Sequence, residues 1–510
     1  MEPLPPIVPP IVPKVPESSA ADLTFVRRVA RSGMWNTLGF LGASASAFAV
    51  SIVVARTTDA SGLGRFTYYT WLMRLVGILA AFGLPAALAR FIPEAIGAED
   101  PKRARGTWRL GSRLATILGL IAFAVMFILA RSRGESVSLA LAVGVGSAST
   151  LAVKLLEGFL QGALKFKQIA RMAAIIGSIQ ISVIVAGAAL GADATGLLIL
   201  FALTPTLFAV LLYLPIRSPL KSWPPGSLDR AHRRKILSFA ATLGLVAFID
   251  EVVWGRPEIF FLEHFRSAAE VGFYSVGLKF ASLVVVLPAV ISKSLLPEFS
   301  WMHGAKRTQE FEETFPVLCV TIAYVAVGLA ILGAAMADLL VTVVFSPEFS
   351  PAIIGTQVLL AGSVFGGLAG PVAAALFAGS KEKFFVQFGL LLVTINLVLD
   401  FALIPRYGLL GASIATIASQ TIGAGIGYFL TVKRANLPYP TVAVIRLILM
   451  AVIAGAAGRA VATLLEGVLA LVTGGAVAAA LYVFLADRSN LVTVSQLRGI
   501  SRRSPAPVDP

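Results

Sequence analysis

Apolar runs of about twenty residues recur from Ser32 to Leu485, and no other feature narrows the possible folds so far. At about 1.5 Å of rise per residue, roughly 20 helical residues cross the ~30 Å hydrocarbon layer of a bilayer. Hydrocarbon offers the backbone no hydrogen bonds, so a chain that enters it repeatedly must do so as helices or a closed barrel, and runs this long specify helices. Composition agrees: 57% of the residues are hydrophobic, 14% are charged and the mean hydropathy is +0.85, outside the range of soluble domains. The fold class expected is an all-α integral membrane protein. The runs predict about fourteen helices, at 32–55, 66–91, 112–131, 137–158, 169–190, 194–215, 236–262, 271–296, 315–337, 353–379, 384–404, 409–432, 441–459 and 465–485.

The segments between these helices set orientation. With the N-terminus in the cytoplasm, the inner segments hold 28 Lys and Arg residues against 8 on the far side, so the positive-inside rule puts both termini in the cytoplasm. The same distribution accounts for most of the net charge of +15 and argues against nucleic acid as a partner, which calls for one concentrated basic patch. Residues 1–31 are rich in proline and read as a cytoplasmic tail rather than a signal peptide, as do residues 486–510 at the other end. The longest loop, 216–235, carries Pro, Gly and six basic residues, and reads as a linker between helices 1–6 (32–215) and helices 7–12 (236–432). Helices 13 and 14 occupy 433–485. One cysteine and three histidines leave no basis for a disulfide or a Cys/His metal site, and no cofactor is expected.

Helices two and eight look like copies. Each opens on Gly and an aromatic residue (Gly64, Phe66; Gly272, Tyr274), carries one cation (Arg74; Lys279) and closes on Pro-Glu (Pro93, Glu94; Pro297, Glu298). Both run inward, so the repeat has parallel topology and the two cations sit at nearly the same depth.

Charges inside the spans are the candidate functional residues, because an ionisable group at mid-membrane costs a few kcal/mol or more unless it is paired or faces water. The stretch "FIDEVVWGRPEIFFLEHF", Phe248–Phe265, holds Asp250, Glu251, Arg256 and Glu258. On one continuous helix Asp250, Glu251, Trp254 and Glu258 form a stripe, with Arg256 pointing away, although Pro257 interrupts that phase. Asp250 and Glu251 would lie roughly 16–18 Å below the outer helix end, too deep to snorkel, and Lys279 roughly 12 Å below its own. An ion-pair ladder between helices seven and eight is therefore open. These acids either hold the half-molecule together or line a wet cavity and exchange partners during transport. Arg74, Lys279 and Arg256 are candidate cavity cations, suited to a phosphate group. Asn36 and Asn396 are candidate polar lining, and Asp400 joins the acids as a cap, hydrogen-bonding or substrate residue. Lys154 and Glu157 lie close enough to the cytoplasmic end for solvation to explain them.

The segments "AEVGFYSVGLKF", "VVFSPEFSPA" and "NLVLDFALIPRYGLLGASIATIAS" resemble the polysaccharide-transporter branch of the multidrug/oligosaccharidyl-lipid/polysaccharide flippase superfamily, over roughly Ser32 to Arg434. The resemblance implies two six-helix lobes around a central cavity plus two C-terminal helices. It also implies alternating access that carries a polyprenyl-pyrophosphate-linked oligosaccharide across a bacterial cytoplasmic membrane, with glycan polymerases or glycosyltransferases as further partners. Helix one carries no charge before Arg56, whereas lipid II flippases carry charges there, which favours an O-antigen, capsule or exopolysaccharide unit. A lipid II flippase and a multidrug antiporter of the same architecture remain the alternatives. Neither "DD" nor "DxD" occurs, so a metal-dependent sugar transferase is not expected.

Overall fold

The computed structural model describes residues 39, 41–163, 165–304, 307–378, 382–434, 437–489 and 491, and among them there is no strand. Asn36, the N-terminal tail and nearly all of the C-terminal tail lie outside the described residues, as do the side chains of Asp250, Trp254, Pro297 and Glu298. The helices are α1 (Leu41–Thr57), α2 (Ala60–Ala81), α3 (Leu84–Gly97), α4 (Pro101–Ser132), α5 (Val137–Gly162), α6 (Phe166–Ala189), α7 (Ala194–Ser222), α8 (Arg230–Trp254), α9 (Glu258–Phe265), α10 (Ala268–Gly304), α11 (Thr308–Ala335), the short α12 (Ala337–Leu339), α13 (Ala352–Ala378), α14 (Glu382–Phe429), α15 (Thr441–Ala462) and α16 (Gly467–Arg488). Among the described residues ten are long and apolar enough to cross a membrane, eleven if the bent pair α2/α3 counts as one span, so this measure does not reach fourteen.

Three features account for much of the gap. α1 is short over its described part, and the seventh expected helix is broken into α8 and α9. The third is α14, where Asn396 Nδ2 donates to Ser419 Oγ at 3.2 Å, although a straight helix would hold residues 23 apart at about 34 Å. α14 is therefore a hairpin, turned at Gly408 with φ 52° and ψ −126°. Its two limbs carry the expected helices 384–404 and 409–432.

The second expected helix starts earlier and ends later than 66–91. Asp59 caps it, accepting from Gly62 N at 2.7 Å, and it bends by 45° where Phe82 and Gly83 adopt φ 40° and 71°. A Cβ on Gly83 would lie 2.1 Å from the Ala240 carbonyl oxygen, so the bend brings backbone against backbone of α8.

The linker is shorter than 216–235. Leu212, Ile216 and Leu220, spaced four apart, are all buried, so α7 continues along one packed stripe to Ser222. Asp229 caps α8 by accepting from His232 N at 2.8 Å, and the backbone and side-chain bonds from His232 hold its carboxyl below the usual range.

Within the N-terminal half α5 packs on α3, α4 and α7, and within the C-terminal half α10 packs on α13 and α13 on the α14 hairpin. α15 and α16 pair with each other and dock on α11. Large apolar side chains such as Leu120, Ile128, Leu449 and Leu469 point outward, as lipid-facing helices require. The two halves meet where α2 runs beside α10. A Cβ on Gly64 would lie 1.6 Å from Ala268 O, and one on Gly272 would lie 2.1 Å from Ala60 O. Without side chains there, the two backbones touch. The paired glycines put the starts of the two helices side by side. From this contact Arg74 lies ten residues along α2 and Lys279 seven along α10, or about 15 and 10 Å of helical rise.

Candidate functional site

The broken seventh span carries acids on both sides of its break. α8 ends at Trp254, Gly255 closes it, Arg256 takes φ 66° and Pro257 starts the next turn. Proline cannot supply the N–H that a continuing helix needs, and its ring clashes with the preceding turn, so the break falls where the sequence places Pro257. A non-glycine residue in the left-handed region is uncommon and costs roughly 1–2 kcal/mol, which the surrounding packing must offset.

Before the break, Glu251 faces the other half of the molecule. Its Oε1 accepts from Arg74 Nη2 of α2 at 2.6 Å, with the arginine side chain 50% exposed and the glutamate 9%. One turn away, Trp71 Nε1 of α2 donates to the Gly255 carbonyl, which the end of α8 leaves without a helical partner. Thus two bonds join one turn of α2 to one turn of α8. Lys279 lies within electrostatic reach of Arg74, and its Nζ is 3.5 Å from Ala47 O of α1.

Beyond the break, Glu258 turns into the C-terminal half and is 3% exposed. Its Oε1 accepts from Thr416 Oγ1 at 3.0 Å and from Asn396 Nδ2 at 3.4 Å, and Tyr274 OH lies 3.0 Å from the same threonine hydroxyl. Asp400, one helical turn after Asn396, is completely buried and interacts electrostatically with Glu258. Glu258 Oε2, Asn396 Oδ1 and both carboxyl oxygens of Asp400 have no hydrogen-bond partner among the described residues, and no Lys or Arg there pairs with either acid. Two neighbouring carboxylates in so dry a pocket repel strongly if both are bare. Such a pocket is chemically suited to hold a proton or a small cation between them.

Among the described side chains, which do not include Asp250, the expected ladder between helices seven and eight does not form. Glu251 pairs with Arg74 rather than Lys279, Glu258 with Thr416 and Asn396, and Lys279 approaches a backbone carbonyl. Of the expected stripe, Glu251 and Glu258 part company because the helix breaks at Pro257. Arg256 is half-buried at the break and interacts electrostatically with Tyr274. Trp71, Thr416 and Ser419 were not singled out from sequence, and Tyr274 only as an opening residue of the repeat; the signal that would have raised Thr416 and Ser419 is their three-residue spacing in a segment already noted for Asn396 and Asp400. Lys154 and Glu157 pair with each other at 2.9 Å.

Further contacts close the seam between the halves. Arg56, at the end of α1, donates to the carbonyls of Val343 and Val344 in the π-helical turn Leu340–Phe345, and Ala60 N donates to Glu348 Oε1 at 3.2 Å. Arg133 Nη1 bonds Glu263 Oε1 at 2.8 Å. At the other end of α3, Arg90 lies 4.5 Å over the Phe239 ring, and Glu94 holds Arg103 at 2.8 Å and Lys235 at 3.5 Å. An apolar cavity of about 370 Å³ is lined by Leu41 of α1, Phe280, Leu283 and Val284 of α10, Leu329 of α11 and Leu360 of α13.

Comparison with known proteins places this arrangement. The family described as "Polysaccharide biosynthesis protein" matches residues 29–303, more than half of the chain. A "Probable flippase AglR" of Haloferax volcanii is 28% identical over 169 residues, 32% of this chain and 35% of that protein, so the match spans about a third of its length. A "Probable low-salt glycan biosynthesis flippase Agl15" of the same organism is 21% identical over 376 residues, 72% of this chain and 76% of that protein. Among solved structures, a lipid II flippase MurJ in an inward closed conformation superposes with a TM-score of 0.67 at 13% identity, covering 94% of this chain and 100% of that one, a likeness of fold.

Proposed function

Because the chain belongs to the polysaccharide biosynthesis protein family, we propose that it is a flippase, moving a polyprenyl-pyrophosphate-linked oligosaccharide across a membrane by alternating access of its two halves. The observation that carries this reading is the half-exposed Arg74 on one half of the molecule, within electrostatic reach of Lys279 on the other. A pyrophosphate brings about two negative charges, and both the charges and the sugar hydroxyls are expensive to leave unpaired in hydrocarbon. Arg74 supplies a planar fork that matches a phosphate and Lys279 a point charge. Arg256 is a third candidate cation at the break. The relatives named as glycan flippases support a glycan carrier as cargo; an O-antigen, capsule or exopolysaccharide unit is the cargo we favour. In this reading the chain transports rather than catalyses, sits in the cytoplasmic membrane with both termini inside, and receives its cargo from glycosyltransferases.

The Glu258/Asp400 pocket adds an ion to this reading. An antiporter needs intramembrane carboxyls whose protonation or coordination can change, and two neighbouring buried acids with unpartnered oxygens meet that need. We assign it to coupling, with a proton or a monovalent cation as the driving ion.

The test is transport in proteoliposomes. A fluorescent polyprenyl-pyrophosphate sugar should cross in an ion-dependent manner while a cationic dye does not; dye efflux without lipid movement would replace the flippase with a drug antiporter. For orientation, with Cys319 replaced, cysteines at Ser218 and Thr308 should be shielded from an impermeant thiol reagent in intact cells and one at Ser267 should react. Equal labelling of all three would refute cytoplasmic termini.

A further inference from the structure

We propose that Glu251 occupies on Arg74 the place that a cargo phosphate takes, so that arrival of the cargo breaks a bond between the two halves of the molecule. The identity of the anion rests on the flippase reading; the competition itself rests on geometry. Arg74 Nη2 holds Glu251 Oε1 at 2.6 Å, and the arginine is half-exposed while the acid behind it is nearly buried. Half of the arginine side chain is therefore open to an incoming group. Glu251 takes an N–H of Nη2, so a phosphate that engages the planar fork through that nitrogen must displace it.

Three neighbouring features favour exchange. Lys279 interacts electrostatically with Arg74, so an anion carrying about two charges gains from both cations where Glu251 offers one charge to one of them. Trp71 Nε1 on the Gly255 carbonyl is an uncharged bond, which an incoming anion leaves intact. It keeps this turn of α2 aimed at the same place while the carboxylate lets go. Finally, Glu251 is nearly buried, so on losing the guanidinium its carboxyl is drawn to other partners or to solvent. Cargo binding thereby loosens α8 from α2. Glu251 acts as a positioning residue and internal competitor.

The experiment uses the full chain in lipid nanodiscs, with farnesyl pyrophosphate and inorganic pyrophosphate as probes. Binding is read by calorimetry, and opening of α8 by hydrogen–deuterium exchange of the peptide containing residues 248–256. Glu251→Gln should bind farnesyl pyrophosphate on the order of tenfold more tightly than wild type, because a charged competitor has been removed. Glu251→Asp should stay close to wild type, which guards against a folding artefact. Arg74→Gln should lose binding in both backgrounds. Exchange across 248–256 should rise on adding the probe to wild type and be high and unresponsive in Glu251→Gln. Unchanged or weaker binding by a folded Glu251→Gln protein overturns the competition and leaves the flippase reading standing. Failure of wild type and Glu251→Gln alike to bind either probe, while a cationic dye binds, overturns both.

Discussion

Glu251 and Glu258 stand seven residues apart, a spacing that on an unbroken helix puts both on one face, yet they live in opposite environments. Glu251 crosses to Arg74 at a half-open seam between the two halves. Glu258 is shut inside one half among Thr416, Asn396 and Asp400, with no basic side chain paired to it among the described residues. The break at Gly255–Pro257 makes this difference, by rotating one acid away from the other. An acid paired across a movable seam can exchange its partner. An acid held in a dry pocket with a second acid must instead take up a positive charge. In the reading developed above, one span thus serves cargo recognition before its break and ion coupling after it.

The largest effect is expected from removing the dry pair. Glu258→Gln with Asp400→Asn should lower ion-driven transport on the order of a hundredfold, since no group is left to carry the ion. The folded protein should be as abundant as wild type or more so, because replacing buried ions by neutral groups is often neutral or stabilising by about 1–4 kcal/mol. Normal transport with collapsed abundance would invert the comparison and make the pocket a structural element. Paired measurements of flipping rate and thermal melting decide between these outcomes.

At the seam the effect should be smaller and should depend on charge. Arg74→Gln should reduce transport on the order of tenfold at near-normal abundance, while Arg74→Lys keeps part of the rate because charge persists and only the fork is lost. Lys279→Arg should likewise be milder than Lys279→Gln. Since Arg74 is half-exposed, the stability cost of stranding Glu251 should stay well below the about 3–5 kcal/mol typical of a fully buried pair. Wild-type rates in the Arg74→Gln, Lys279→Gln double variant would end the cationic-site mechanism.

The break itself offers the mildest test. Arg256→Gly relaxes the left-handed residue at the expense of a more flexible unfolded chain, so stability should change by no more than about 1 kcal/mol, in the favourable direction. If Arg256 serves only the turn, transport is unaffected; a loss as large as that of Arg74→Gln would place it with the cavity cations.

Much of the fold is legible in the residues. The apolar runs give the membrane-spanning helices, and Gly64 and Gly272, first noted as openings of a repeat, prove to be the contact between α2 and α10. Glu251, Glu258, Asn396 and Asp400 stand out because polar groups in oily segments demand an explanation. Their partners do not follow from that. Thr416 and Ser419 are ordinary small polar residues of a membrane helix until the α14 hairpin brings them to Asn396 and Glu258. Trp71 acquires a role only because a helix in the other half ends opposite it.

What the sequence determines by itself is therefore short-range: which stretches enter hydrocarbon, and where Pro257 and Gly408 interrupt a helix. These follow from hydrophobicity and backbone sterics, both of which act within a few residues or a single span. The tertiary structure alone decides that Glu251 meets Arg74, 177 residues away, and that Glu258 meets Asn396 and Thr416, 138 and 158 residues away. Those choices depend on how rigid helices dock and on which face a break turns toward its neighbour, and a periodicity read along one helix carries no record of either.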